Sequence, residues 1–162
     1  MKFDQDLLQT YKTLLQTTDL AESYQEFVRL FRYLRVELEK QLTDCKFQGN
    51  IVENGMDYSY FQFTNASLKR KGLKLAVTFV HRDFRFEVWL SGINRNRQSI
   101  YYELLKAAQL PFALTGDPLK TDHILKIPLY PDMDLADGEC VLAEVKAAAL
   151  EILAFTETIE AA

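Results

Sequence analysis

Two neighbouring runs constrain the fold of this chain more than anything else in it. In "LKLAVTFV" (73–80) and "FRFEVWL" (84–90) apolar residues fall on alternate positions, and a period of two sends those side chains to one face of a β-strand. Leu73, Leu75, Val77 and Phe79 line the first run, Phe84, Phe86, Val88 and Leu90 the second, with His81-Arg82-Asp83 as the turn between them. A lone hairpin is marginal in water, so such a pair calls for further strands and a helical cover. The turn also opens like a protein-kinase catalytic loop. A kinase needs an asparagine five residues after that aspartate, where this chain has Val88 in mid-strand, and it has neither a glycine-rich phosphate loop nor an Asp-Phe-Gly triplet. Asp83 therefore reads as a turn residue.

The cover is written on either side. Leu7, Leu8, Tyr11, Leu14 and Leu15 predict a short amphipathic helix over 4–16, and a stripe from Leu20 through Phe27, Phe31, Leu34 and Leu38 to Leu42 predicts a longer one after an Asp19 cap. "KFQGNIVENGMDYSYFQF" predicts two short strands turning at Asn54-Gly55. "TNASLKRKG" predicts one or two helical turns capped by Thr64 and closed by Gly72. A helix over 97–109, capped by Asn96, is expected to turn Ile100, Leu104, Leu105 and Ala108 inward. "HILKIPLYP" is a last strand, and Asp137 caps a C-terminal helix. The expected architecture is α+β, in the order ααββββαβα: a single mainly antiparallel sheet of about five strands with helices packed on one face.

With 162 residues, 48% of them apolar, the chain suits one domain over 1–162. No apolar run reaches the length that spans a bilayer, and acidic residues interrupt the N-terminal stretch where a signal peptide would be apolar. Cys45 and Cys140 lie far apart without Cys or His companions, and His81 and His123 have no second ligand at a closing spacing. A cytoplasmic protein with no membrane association, no metal and no cofactor is expected. Charge is uneven. Between Lys69 and Arg97 stand eight basic and two acidic residues in a chain of net charge −4, which suits an anionic ligand at one face. The acidic whole (pI about 5.2) and the lack of a reading motif argue against nucleic acid.

The alternation that buries the phenylalanines turns Arg85, Glu87 and Trp89 to the opposite face. A large indole there exposes apolar area unless something covers it. Tyr58 and Tyr60 share one face of the preceding hairpin, and with Asp57, Arg95 and Arg97 they complete a candidate group. Two uses follow. One is a non-enzymatic binding or interaction module whose sheet face receives a protein partner or a second copy of the chain. The other is a pocket for a small anionic ligand, with Arg85, Arg95 and Arg97 as clamp and Glu87 or Asp57 as acid or base; whether a reaction is catalysed is left open.

"YSYFQFT", "LKLAVTFVHRDFRFEVWLSGINRNRQ" and "YYELL" together resemble a bacterial domain family of unknown function over about residues 50–105, most specifically in "FRFEVWLSGINRNRQ". The resemblance implies a small, soluble, single-domain bacterial protein and supplies no activity, cofactor or site.

Overall fold

The computed structural model describes residues 1–130 and 132–161. Its elements run α1 (Gln5–Thr17), α2 (Leu20–Gln41), β1 (Lys46–Asn54), β2 (Tyr58–Thr64), α3 (Ala66–Lys71), β3 (Leu73–Val80), β4 (Arg85–Gly92), α4 (Arg95–Lys106), β5 (Ala113–Leu114), β6 (Leu125–Pro128) and α5 (Gly138–Glu157). The strands form one antiparallel sheet in the order β1-β2-β3-β4-β6-β5. The α+β class and the single sheet with its helical cover are as the periodicities require. The sixth strand is the two-residue β5, too short to carry an alternation.

Pairing places Val77 opposite Val88 and Phe61 opposite Val77, so the apolar positions of β2, β3 and β4 lie in rows on one face. Helices α2 and α5 cover that face. Phe31 and Leu34 of α2 and Val145, Ala149 and Ile152 of α5 join Phe61, Phe63, Leu75, Val77, Phe86 and Leu90 in one core. Phe31 stands 5.1 Å from Phe61 and 5.8 Å from Phe86 between ring centroids, which ties α2 to strands on both sides of β3.

Several details differ from the periodicity reading for local reasons. Phe84 does not extend the apolar row of β4: its N–H bonds the His81 carbonyl at 3.2 Å, closing a tight turn with φ of 47°, and its ring is exposed. In the first hairpin the left-handed positions are Gly55 and Met56, and Asp57 N–H closes on the Asn54 carbonyl. Asn65 rather than Thr64 caps α3, accepting from Leu68 N–H at 2.8 Å. Asn94 rather than Asn96 caps α4, accepting from Arg97 N–H at 2.9 Å. That shift rotates the helix, so Gln98, Tyr101 and Leu105 face inward while Ile100 and Leu104 are exposed. Asp137 caps α5 through Cys140 N–H at 3.0 Å. The last strand is shorter than its apolar run, and Pro131 lies outside the described residues.

Helix α1 forms as its spacing demands, yet none of its residues is buried, and Leu7 and Leu8 are 67% and 53% exposed. Among the described residues no helix is long and apolar enough to cross a membrane.

Candidate functional site

The helices take one face of the sheet, and the opposite parity of the same strands builds what remains. On β2 this is Tyr58, Tyr60 and Gln62; on β3, Lys74, Ala76 and Thr78; on β4, Arg85, Glu87, Trp89 and Ser91. The β4–α4 turn, the first turn of α4 and the loop entering β6 rise beside this face. Between them lies a cavity of about 300 Å³. Its floor is β3, where the small Ala76 leaves room between Lys74 and Thr78. Trp89 and the two tyrosines form its aromatic side, and Asn94, Arg95, Gln98 and Asp122 its polar rim.

Two elements hold this rim in place. Gly92 ends β4 where the backbone of α4 passes: a Cβ there would stand 2.4 Å from the Gln98 nitrogen, so only glycine permits the approach. Gln98 then fastens the helix to the far loop, donating through Nε2 to the carbonyls of Pro118 and Thr121 at 2.9 and 2.7 Å. Arg95 adds a bond to the Thr121 carbonyl and donates through Nη2 to Asp122 Oδ1 at 2.6 Å. From the other side Tyr58 donates its hydroxyl proton to Asp122 Oδ2 at 2.8 Å. The Tyr58–Asp122 bond joins β2 to the β6 side of the sheet, across two intervening strands. Burial, then the bond to Asp122, push the Tyr58 hydroxyl up to about 12.

Glu87 forms a second, drier group beside the cavity. Its side chain is 0% exposed. Oε1 accepts from Arg85 Nε and Nη2 at 2.9 and 2.7 Å, Oε2 accepts from Trp89 Nε1 at 2.7 Å, and Lys126 Nζ spans both oxygens at 3.0 and 2.9 Å. Burial alone would raise its pKa, but the bonds from Lys126, Trp89 and Arg85 outweigh it and hold the carboxyl below the usual range. The indole is covered within the chain. Tyr58 lies 5.7 Å and His123 4.8 Å from it, and Trp89 is left 9% exposed.

The candidate residues thus divide. Tyr58, Tyr60, Trp89 and Arg95 meet at the cavity, and Arg85 and Glu87 stand next to it, bound to each other and to Lys126. Asp57 sits in the β1–β2 turn, where its carbonyl accepts from His81 N–H at 3.0 Å. The Arg97 side chain runs past Gly72 instead, within 3.1 Å of where a Cβ on that glycine would sit. Lys74, Gln62, Thr78, Asp122 and Lys126 are the additions. The first three were legible in principle, since they are the polar, off-parity positions of β2 and β3; Asp122 comes from a loop without periodicity.

Two groups at the cavity are unsatisfied. Thr78 Oγ1 is buried without a hydrogen-bond partner. Among the described residues the Lys74 ammonium makes no hydrogen bond or ion pair, and burial lowers its pKa, only partly countered by Asp122. Elsewhere Ser59 Oγ and His81 Nε2 lie 2.9 Å apart, a spacing that suits a nucleophile and its base, but Ser59 is 0% exposed in the core beneath α2. Among the described residues no group of three or more His, Cys, Asp and Glu side chains converges as a metal site would need.

Residues 3–161 match the model of a domain of unknown function (DUF7000), and the chain belongs to that family. No curated protein and no solved structure matches the chain.

Proposed function

We propose that this protein binds a small ligand bearing an anionic group in the cavity on the side of its sheet opposite α2 and α5, with Lys74 as the charge partner. The observation that carries the reading is the ammonium of Lys74: half-buried, lining the cavity, and with no carboxylate within bonding range among the described residues. Buried charged groups left unpaired are costly and rare in folded chains, and the Lys74 ammonium becomes satisfied when an anionic group occupies the cavity beside it. A concave, aromatic-sided space of about 300 Å³ with a few convergent polar groups has the size and make-up of a small-molecule site. Arg95 supports the rim through Asp122 rather than closing a three-arginine clamp. The exposed thiol of Cys140 suits the reducing cytoplasm, where we place the protein.

The test is a melting-temperature screen of the wild type and Lys74→Ala against carboxylated and phosphorylated metabolites. The reading expects at least one compound to raise the wild-type Tm by several degrees and to leave the variant unmoved. If none shifts the wild type, or if the shift survives in the variant, the reading is wrong.

One observation favours a second reading, a protein contact. The apolar stripe of α1 (Leu7, Leu8, Tyr11, Leu14, Leu15) is exposed along its length. The Arg85–Glu87–Trp89 group offers less to a partner, because its polar atoms bond one another and its indole is covered. Light scattering of the wild type and a Leu8→Asp, Leu15→Asp variant decides this: equal monomer masses at high concentration would remove self-association.

A further inference from the structure

Three charged side chains line the cavity, and they are not equivalent. Asp122 accepts from Arg95 Nη2 at 2.6 Å and from Tyr58 at 2.8 Å, and Arg95 also donates to the Thr121 carbonyl. The guanidinium is therefore tied to the rim through both Nη atoms, and its charge is offset by Asp122. Lys74 is left as the single unpaired charge, with the Asp122 carboxylate near enough to influence it.

This arrangement discriminates between anions. A phosphate monoester brings close to two negative charges at neutral pH. One lysine balances half of that, and the excess would face the Asp122 carboxylate across a small, partly dry space, where like charges repel strongly. A carboxylate brings one charge, which one ammonium neutralises. The far end of the floor asks for something else. Thr78 lies four residues along β3 from Lys74, a Cα separation of about 13 Å, and Tyr60 pairs directly with it across the strands. The Thr78 hydroxyl is sealed beneath the floor, but the Tyr60 hydroxyl makes no hydrogen bond among the described residues and lines the cavity, so that end calls for a neutral hydrogen-bonding group. Between the two ends Ala76 provides a flat floor and Trp89 an aromatic wall.

We infer that the ligand is a flat organic monocarboxylate whose far end carries a hydroxyl group, its carboxylate on Lys74, its body over Ala76 beside Trp89 and its hydroxyl at Tyr60. This rests on the cavity being the binding site as proposed above, and it adds the class of molecule and the direction in which it lies.

Isothermal titration calorimetry with a matched pair of probes separates the two claims. The probes are 4-hydroxyphenylacetate and 4-hydroxyphenyl phosphate, with phenylacetate to report on the far end. The inference expects the hydroxylated carboxylate to bind at least tenfold more tightly than the phosphate. It further expects Lys74→Met to abolish that binding, and loss of the hydroxyl from the probe, or Tyr60→Phe in the protein, to weaken it several-fold. Tighter binding of the phosphate, still lost in Lys74→Met, would overturn the monocarboxylate assignment and keep the site. Equal affinity for the two carboxylates would overturn the assigned direction. No heat from any probe, with both proteins folded by circular dichroism, would overturn the inference, and the broader metabolite screen would then decide the site itself.

Discussion

Glu87 is where removal of one atom's charge has the largest calculable consequence. Its carboxylate is fully buried and accepts from Arg85, Trp89 and Lys126. Glu87→Gln keeps the shape and replaces one oxygen by an amide that points its own hydrogens at the donors. Lys126 then remains with no counter-charge, and Arg85 keeps only its longer pairing with the half-exposed Asp83 at 3.5 Å. Breaking a fully buried ion pair from one side costs about 3–5 kcal/mol. The Arg85 and Lys126 side chains are each 29% exposed and recover some hydration, which reduces the expected loss to about 2–3 kcal/mol. In a domain of this size that lowers Tm by about 5–10 °C. Urea unfolding is the assay, read by intrinsic fluorescence, because Trp89 is the only tryptophan and donates to Glu87 itself. The companion variant is Arg85→Met, Glu87→Leu, Lys126→Met, which removes the charges together. It is expected to stay about 1 kcal/mol below the wild type, since apolar replacement of the buried charges is close to neutral and the remaining cost is the Trp89 indole N–H left without its acceptor. A Glu87→Gln cost under about 0.5 kcal/mol, or a triple variant as unstable as the single one, would refute this account of the group.

Other outcomes follow from the same structure. Absorbance titration of the tyrosines should show the Tyr58 hydroxyl ionising late, near 12, and Asp122→Asn should lower it part of the way toward 10, burial being the larger cause; its raised value also means that stability falls as pH climbs from 10 through 12, because the unfolded chain ionises this hydroxyl first. Burial lowers the pKa of both His81 and His123 below 6.5, so the stability they contribute is present above pH 6.5 and is lost as pH falls through their folded values. The slope of Tm between pH 7 and 5 should therefore flatten in His123→Gln, and an unchanged slope would count against the assignment. Gly92→Ala forces a Cβ onto the backbone of α4 and is expected to cost about 1–3 kcal/mol, with larger loss of hydrogen-exchange protection in α4 than in α5.

The parts of this fold legible in the sequence are those fixed by period. The rows through Val77 and Val88, the buried stripe of α2 and the Asp137 cap each follow from residue spacing alone. What the spacing cannot carry is closure in three dimensions. The rotation of α4 depends on which of two asparagines caps it, and that choice is made by Gly92 and by the Gln98 bonds to the Pro118 and Thr121 carbonyls, contacts about twenty residues apart. The site divides in the same way. Alternation alone sets Trp89 on the face away from the phenylalanines, but only the folded chain shows that Tyr58 and His123 cover it. Asp122, which gathers Tyr58 and Arg95, lies in a loop whose position the far strand determines. Lys74 carries the signal of alternation, and its importance appears only once its lack of a partner among the described residues is seen.

The single tryptophan makes the central claim testable in one spectrum. In a ¹⁵N-correlated NMR spectrum the Trp89 indole N–H gives one isolated signal, from a ring that lines the cavity. Adding a small-molecule extract, or a compound that raised Tm, is predicted to move that signal together with the amides of Lys74–Thr78 and Gly92–Gln98, and to leave it in place in Lys74→Ala. Perturbations confined to the surface of α1, with the indole and the β3 amides unmoved, would contradict the account.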